Sequence, residues 1–519
     1  MKGINRLLAV VMAVILAIGA LSGCGAKSGS SADTNKEDGS SSQDNPQAAS
    51  GDEEPYQIDI ELLLGMPNPD LEEVEAAINE ITLEKINCTV KLREISIADH
   101  ATQMNLLATG SDKIDIINAG YTTSPSRLKD SGLLLGIGDI LKENAPNLLE
   151  KCGKLMDACY IDGDIYFIPG NLYPASQRIF SYNDALVEQY NIEIPEMQEG
   201  ENAFDYVERF YENVIASDFD GYGTTAGDGF SVPGVDAYYE SFGDTRYCSY
   251  GVLMDMTKDT KIVNFFETQE FADACYRAKE WRDKGYMVPD SLTNGSTVVD
   301  ATASGQIVGS IGAANATYLG NQEKITGIIM EAVPISEMML TGATIGEYSL
   351  AITTTSKNPE KCAQFLDLLY TDAQLSNLVN YGIEGKHYVK ESEHIIKLPE
   401  GVGYDSLGYG NQISTFGDAA LNYQKAPFTE EFYVTLPDYS YDNAVVSSAF
   451  GYSFNSEAVK TQNAAVCAVI GEYLPSLCCG IVDVDEKLPE FIAELKDAGI
   501  DDIIAENQRQ YDEWLAAKN

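Results

Sequence analysis

Between Tyr56 and Tyr121 the hydrophobic period of the sequence switches back and forth, and no other stretch limits the fold so tightly. In YQIDIELLLG, Ile58, Ile60, Leu62 and Leu64 fall on every second position, the period of a strand. Asn68-Pro69 then offers a cap and a first-turn proline. Leu71, Val74, Ile78 and Ile81 follow as an apolar stripe at helical spacing. CTVKLREIS reads as a second strand, ADHATQMNLLATG as a helix ended by Gly110, and KIDIINAGY as a third strand. Strands alternating with helices fold as a parallel sheet, and such sheets hold ligands beyond the carboxyl ends of their strands. Asn118 to Thr122 therefore stand near an expected site.

The remaining chain continues the alternation. ACYIDGDIYFIPG reads as a hairpin turning at Asp162-Gly163, and NLYPASQRIFSYNDALVEQY carries a strand into a helix. Helices are expected over Asn202 to Val214 and Thr268 to Lys284. In the second of these, Phe271, Ala274, Ala278 and Trp281 share a face, so Trp281 is expected in a core. Trp514 has the same role on a C-terminal amphipathic helix. Strand character returns at GQIVGSIGAAN, KITGIIMEAVPI and GEYSLAI. Asn358-Pro359 then caps a helix whose buried stripe is Cys362, Phe365, Leu366 and Leu369.

The amino terminus has a different physics. Met1-Lys2 and Arg6 precede LLAVVMAVILAIGA, an uncharged run from Leu7 to Ala20 that is shorter than the ~20 residues of a spanning helix. A basic start, a short apolar run and small residues at its end make a secretory signal. The tract after Cys24 has too little apolar surface to offset its ordering entropy. Leu21-Ser22-Gly23-Cys24 resembles a bacterial lipobox. That resemblance implies a signal peptide over 1–23, cleavage before Cys24, acylation of its sulfur, and a flexible tether over 24–55. Two acyl chains anchor where one is marginal. The protein is thus expected outside the cytoplasm, lipid-anchored to the outer face of the cell membrane.

Eighty acidic residues against 34 Lys and Arg give a net charge of −46, a surface that repels phosphate backbones and argues against nucleic-acid binding. Nine cysteines follow Cys24 without metal-ligand spacing, so a zinc site or a dense disulfide framework is not expected. Cys275 and Cys362 read as core thiols, Cys478-Cys479 as unpaired neighbours, and the mature protein as fully reduced. Catalytic patterns are thin. Histidine occurs only at 100, 387 and 394, with no HExxH pair and no GxSxG elbow. GYGTTAG, from Gly221 to Gly227, misses the dinucleotide spacing, and Asp218, Asp220 and Asp228 lack that of a calcium loop. No catalytic residue, metal or cofactor is expected.

SKNPEKCAQFLDLLYTD followed by NYGIEGKHYV, together with YIDGDIYFIP, AKEWRDKGY and the C-terminal LPEFIAELKDAGIDDIIAENQRQYDEWLAAK, resembles the family 1 extracellular solute-binding proteins of bacterial ABC importers, in their LipO-like subgroup. The resemblance covers residues 56–519. It implies two α/β lobes of the periplasmic-binding-protein type, with a ligand cleft between them and hinge crossings near 174–181, 296–306 and 343–352. The first lobe is expected to combine 56–175 with 300–342, the second 176–299 with 343–519. It further implies a receptor that captures a solute and delivers it to the transmembrane subunits of a permease.

Thirty tyrosines, many in loops with Gly, Asn and Asp, favour an oligosaccharide, whose C–H faces stack on rings while its hydroxyls need amides and carboxylates. The ligand residues expected are Asn118, Tyr121, Tyr173, Gln177, Asn315, Glu347 and Tyr348. Tyr381 and Glu384 are weaker candidates, because Gly382 and Gly385 mark a structural turn. The alternatives are a peptide-binding receptor of the same kind and a secreted glycan-processing enzyme.

Overall fold

The computed structural model describes residues 54–97, 99–110, 112–226, 239–243, 251–293, 297–316, 318–346, 349–410, 416–426 and 428–518. The signal, Cys24, nearly all of the tether, Asp228, Glu347 and Tyr348 lie outside the described residues.

β1 (Tyr56–Leu64) runs parallel to β2 (Cys88–Ser96) and to β3 (Ile116–Ala119), with Ile60 opposite both Leu92 and Ile116. The connections are α1 (Leu71–Ile86) and α2 (His100–Ala108), as the hydrophobic period predicts. Ile58, Leu62, Val74, Ile78, Val90 and Leu92 close one core between sheet and helix. The start of α1 differs from expectation. Its cap position is Asp70, whose side chain makes no capping bond, because that carboxylate is drawn to His387 and Lys386 across the fold. The hairpin at 160–165 turns through Asp162 at φ 50° and Gly163 at φ 88°, the paired positive angles that such a two-residue turn requires.

β4 (Gln177–Asn183) begins a second sheet. Next come α3 (Ala203–Ala216), capped by the Asn202 side chain, and α4 (Gln269–Asp283), capped by Thr268. Phe180, Phe210, Tyr211 and Trp281 pack edge to face in their core, so Trp281 is structural. β5 (Gly309–Ala314), α5 (Tyr318–Thr326) and β6 (Met330–Pro334) follow. Both strands flank β4 in antiparallel register. β7 (Ser349–Ile352) returns to β3, antiparallel, and completes the first sheet in the order β7-β3-β1-β2.

These pairings regroup the expected lobes. Residues 309–334, assigned to the first lobe, sit in the sheet of β4. Residues 349–352, assigned to the second, sit in the sheet of β1. α6 (Pro359–Leu369) and α7 (Ala373–Tyr381) also pack on the first core. Alternation tells that a segment is a strand and leaves open which edge it joins. α6 itself is as expected: Asn358 Oδ1 accepts the Lys361 N–H at 3.1 Å, and Cys362, Phe365, Leu366 and Leu369 are buried. The C-terminal helices α8 (Lys460–Cys478), α9 (Val484–Asp497) and α10 (Ile500–Lys518) build a further core with Phe242, Phe266 and Phe271, against which Trp514 packs.

Cys275, Cys362, Cys478 and Cys479 are buried free thiols. Cys467 is disulfide-bonded, which corrects the expectation of a fully reduced protein. One bridge needs only two cysteines that the fold brings together, and sequence separation does not reveal that meeting. No helix among the described residues is long and apolar enough to cross a membrane.

Candidate functional site

The expected ligand residues gather at two places. The first is the carboxyl end of β3. Asn118 lies opposite Leu350 of β7 and is fully buried, and its backbone N–H donates to Glu61 Oε2 at 2.9 Å. It therefore belongs to the sheet interior, and only the residues after it reach the surface. Gly120, at φ 103°, turns the chain, and Tyr121 and Thr122 emerge partly exposed. Behind them stand His100 and Glu61, both buried in full. His100 Nδ1 is 2.5 Å from Thr122 Oγ1, and its Nε2 is 3.2 Å from Glu61 Oε1, off the line of a hydrogen bond. A buried carboxylate thus stands behind an imidazole that fixes a hydroxyl beside Tyr121.

The second place is the chain crossing before β4. Gln177 opens β4 and pairs with Ala314 of β5, so Asn315 follows on the neighbouring strand. Tyr173 packs against Ala316, Ala419 and Leu436. Burial, reinforced by the charges of Asp418 and Tyr433, pushes the Tyr173 hydroxyl up to about 12. That hydroxyl therefore stays protonated and donates. Asp418 is fixed in turn: Lys151 Nζ lies 2.6 Å from Oδ2, and the Ala420 N–H donates to Oδ1 at 3.0 Å. Three expected residues, Tyr173, Gln177 and Asn315, are brought to one end of the second sheet.

Around them lie groups that the sequence reading did not single out. The Tyr433 hydroxyl donates to the Ala420 carbonyl, and the His394 ring stacks on Tyr433 with centroids 3.8 Å apart and planes 11° from parallel. His394 Nδ1 meets Glu430 Oε2 at 2.8 Å. Phe428 and Phe432 stack at 4.1 Å. The signal was present in the aromatic density of FTEEFYVTLPDYSY, which carries no alternation or heptad to explain its rings. All three histidines are thus engaged, with Thr122, Asp70 and Glu430. Among the described residues no group of three His, Cys, Asp or Glu could hold a metal ion. Tyr381, a weaker candidate, closes α7 and is buried, while Gly382 and Gly385 both take positive φ as the turn requires.

Comparison with known proteins bears on this geometry. The profile of the bacterial extracellular solute-binding proteins matches residues 68–375, and that of a domain of unknown function, DUF3502, matches 448–516. A carbohydrate ABC transporter substrate-binding protein of Streptococcus pneumoniae serotype 4 is 24% identical over 468 residues, 88% of this chain and 90% of that protein. The crystal structure of the N-glycan transport solute-binding protein NgtS of S. pneumoniae superposes with a TM-score of 0.74 at 22% identity, covering 89% of this chain and all of the other. The same protein in complex with Man5GlcNAc superposes at 0.69. The fold is the two-lobe α/β fold of these proteins.

Proposed function

The chain belongs to the bacterial extracellular solute-binding proteins, and from that membership we propose that it is a receptor that captures an oligosaccharide for an ABC importer and hands it unchanged to a membrane permease. The observation that carries the reading is the crossing at Tyr173. There an aromatic ring with a protonated hydroxyl stands among further ring faces, with a fixed carboxylate beside it and two amide residues at the nearby end of the second sheet. A sugar offers apolar C–H faces to rings and a rim of hydroxyls that both donate and accept. The relatives that bind carbohydrate or N-glycan add to this reading. A peptide ligand would instead rely on hydrogen bonds along its extended backbone more than on ring stacking.

The two lobes follow the sheets. We assign one to the sheet of β1, β2, β3 and β7, and the other to that of β4, β5 and β6, so that the chain crosses once between β3 and β4 and again between β6 and β7. A solute touching both lobes binds the closed arrangement better than the open one and so shifts the population toward it. The acylated Cys24 tethers the receptor to the outer face of the membrane. The test is thermal unfolding of the purified protein against neutral oligosaccharides and peptides, because a ligand that binds the native state raises its apparent stability. Mass spectrometry of the bound sugar should return it unaltered. Stabilisation by peptides alone would refute the carbohydrate assignment.

A further inference from the structure

A cavity of about 270 Å³ lies apart from both clusters of expected ligand residues. Its wall joins the two sheets' territories: Glu323 comes from α5, while Tyr381, Tyr388, Tyr404, Tyr409 and Lys425 come from the end of α7 and the segment after it. The tyrosines are fixed in different orientations. Tyr381 and Tyr388 meet edge to face at 6.4 Å, and the Tyr409 hydroxyl donates to the Val379 carbonyl at 2.9 Å. Lys425 Nζ stands 5.3 Å from the ring centre of Tyr381 and 6.0 Å from that of Tyr404, so the cage already contains a cation and disfavours a second.

Glu323 Oε2 is buried and accepts no hydrogen bond among the described residues, and burial raises the carboxyl's pKa. An unpaired buried carboxylate oxygen is costly. A purely apolar occupant would leave it so, and an anionic one would meet it as a like charge. A hydroxylated ring satisfies every wall at once: C–H faces for the tyrosines, a hydroxyl donor for Glu323, an oxygen acceptor for Lys425. The size suits one ring, since pockets that enclose larger ligands start at about 300 Å³. Lys425 of the cavity wall precedes Tyr433, whose charge reaches Tyr173, by eight positions in the chain. Between them the Phe428 ring lies close enough to Gly320 of α5 that a Cβ there would stand 2.5 Å from it.

We propose that this tyrosine cage is a separate subsite for one uncharged pyranose ring, the end unit of the oligosaccharide whose other units lie at Tyr173. The inference rests on the receptor reading above. Calorimetry on the full chain, with Man5GlcNAc as the long probe, Man1GlcNAc as the short one and acidic alginate oligomers as the charged one, tests it in wild type, Tyr404→Ala and Glu323→Gln. Expected is a loss of about tenfold, or about 1.4 kcal/mol, in affinity for the long neutral probe in both variants, with the short probe unaffected. Glu323→Gln is nearly isosteric, so it remains informative if Tyr404→Ala fails to fold. Tight binding of Man5GlcNAc that both variants leave unchanged overturns the subsite and spares the receptor reading. Preferred binding of the alginate oligomers overturns the uncharged ring. No binding of any probe by wild type overturns the subsite for these glycans and leaves the receptor reading to the wider thermal-unfolding screen above.

Discussion

His100 Nδ1 holds Thr122 Oγ1 at 2.5 Å, although His100 is fully buried and Thr122 reaches the surface beside Tyr121. The pair links the interior of the first sheet to the loop expected to meet solute. Glu61 completes the link, since its two oxygens face the imidazole and the Asn118 N–H.

Glu61→Ala should therefore destabilise the protein, because the buried Asn118 N–H left without its acceptor costs about 1–3 kcal/mol. Glu61→Gln keeps an acceptor and should cost less. Urea unfolding of the two variants measures the difference, and equal stabilities would show that the link carries no weight.

Stability should fall as pH drops through about 6.5, the ordinary histidine value, because of His387. Burial lowers its pKa, outweighing the pull of Asp70. The Ile383 N–H donates to Nδ1 at 2.8 Å, so the neutral ring is the one the fold holds. The unfolded chain then binds the proton first, and stability present at neutral pH is lost as pH descends toward the lowered folded pKa. Asp70, held low by Lys386 and His387 against the opposing effect of burial, adds a second loss below about 3.9. Melting temperatures of wild type and His387→Gln across about pH 5–7 should show the slope flattened in the variant.

Gly382→Ala should disturb the same place by geometry. Gly382 has φ 75°, and a Cβ there would stand 2.5 Å from His387 Nδ1. Strain of this kind costs about 1–3 kcal/mol. A melting temperature equal to wild type would mean that His387 moves aside freely.

Cys24→Ala should release the protein from membranes without altering its melting temperature, because Cys24 lies outside the compact unit Glu54–Asn519. Unchanged retention of the variant in the membrane fraction would contradict acylation at Cys24.

Local elements were legible in the sequence because each is set by short-range physics. The Asn358 cap, the Asp162-Gly163 turn and the Trp281 face all depend on residues within a few positions of one another. The sheet to which Gly309–Ala314 belongs was not legible, since its partner Gln177–Asn183 lies far off in the chain. The start of α1 shows the same limit from the other side: Asn68-Pro69 reads as its cap, yet Asp70 holds the cap position and His387, distant in sequence, claims its carboxylate. Of the candidate site, the placing of Tyr173, Gln177 and Asn315 near one end of the second sheet was legible because strand ends and crossings can be counted. Asp418 and Tyr433 lie in a segment without periodicity, and only the fold brings them to Tyr173.

The most direct test of the receptor reading is calorimetric titration of the protein with neutral oligosaccharides, repeated in Tyr173→Ala. The account predicts saturable binding, weakened by roughly 1–3 kcal/mol when the buried part of the ring is lost, with the sugar recovered intact. Binding of a sugar with full affinity in Tyr173→Ala, or saturable binding of peptides and of no sugar, would contradict it.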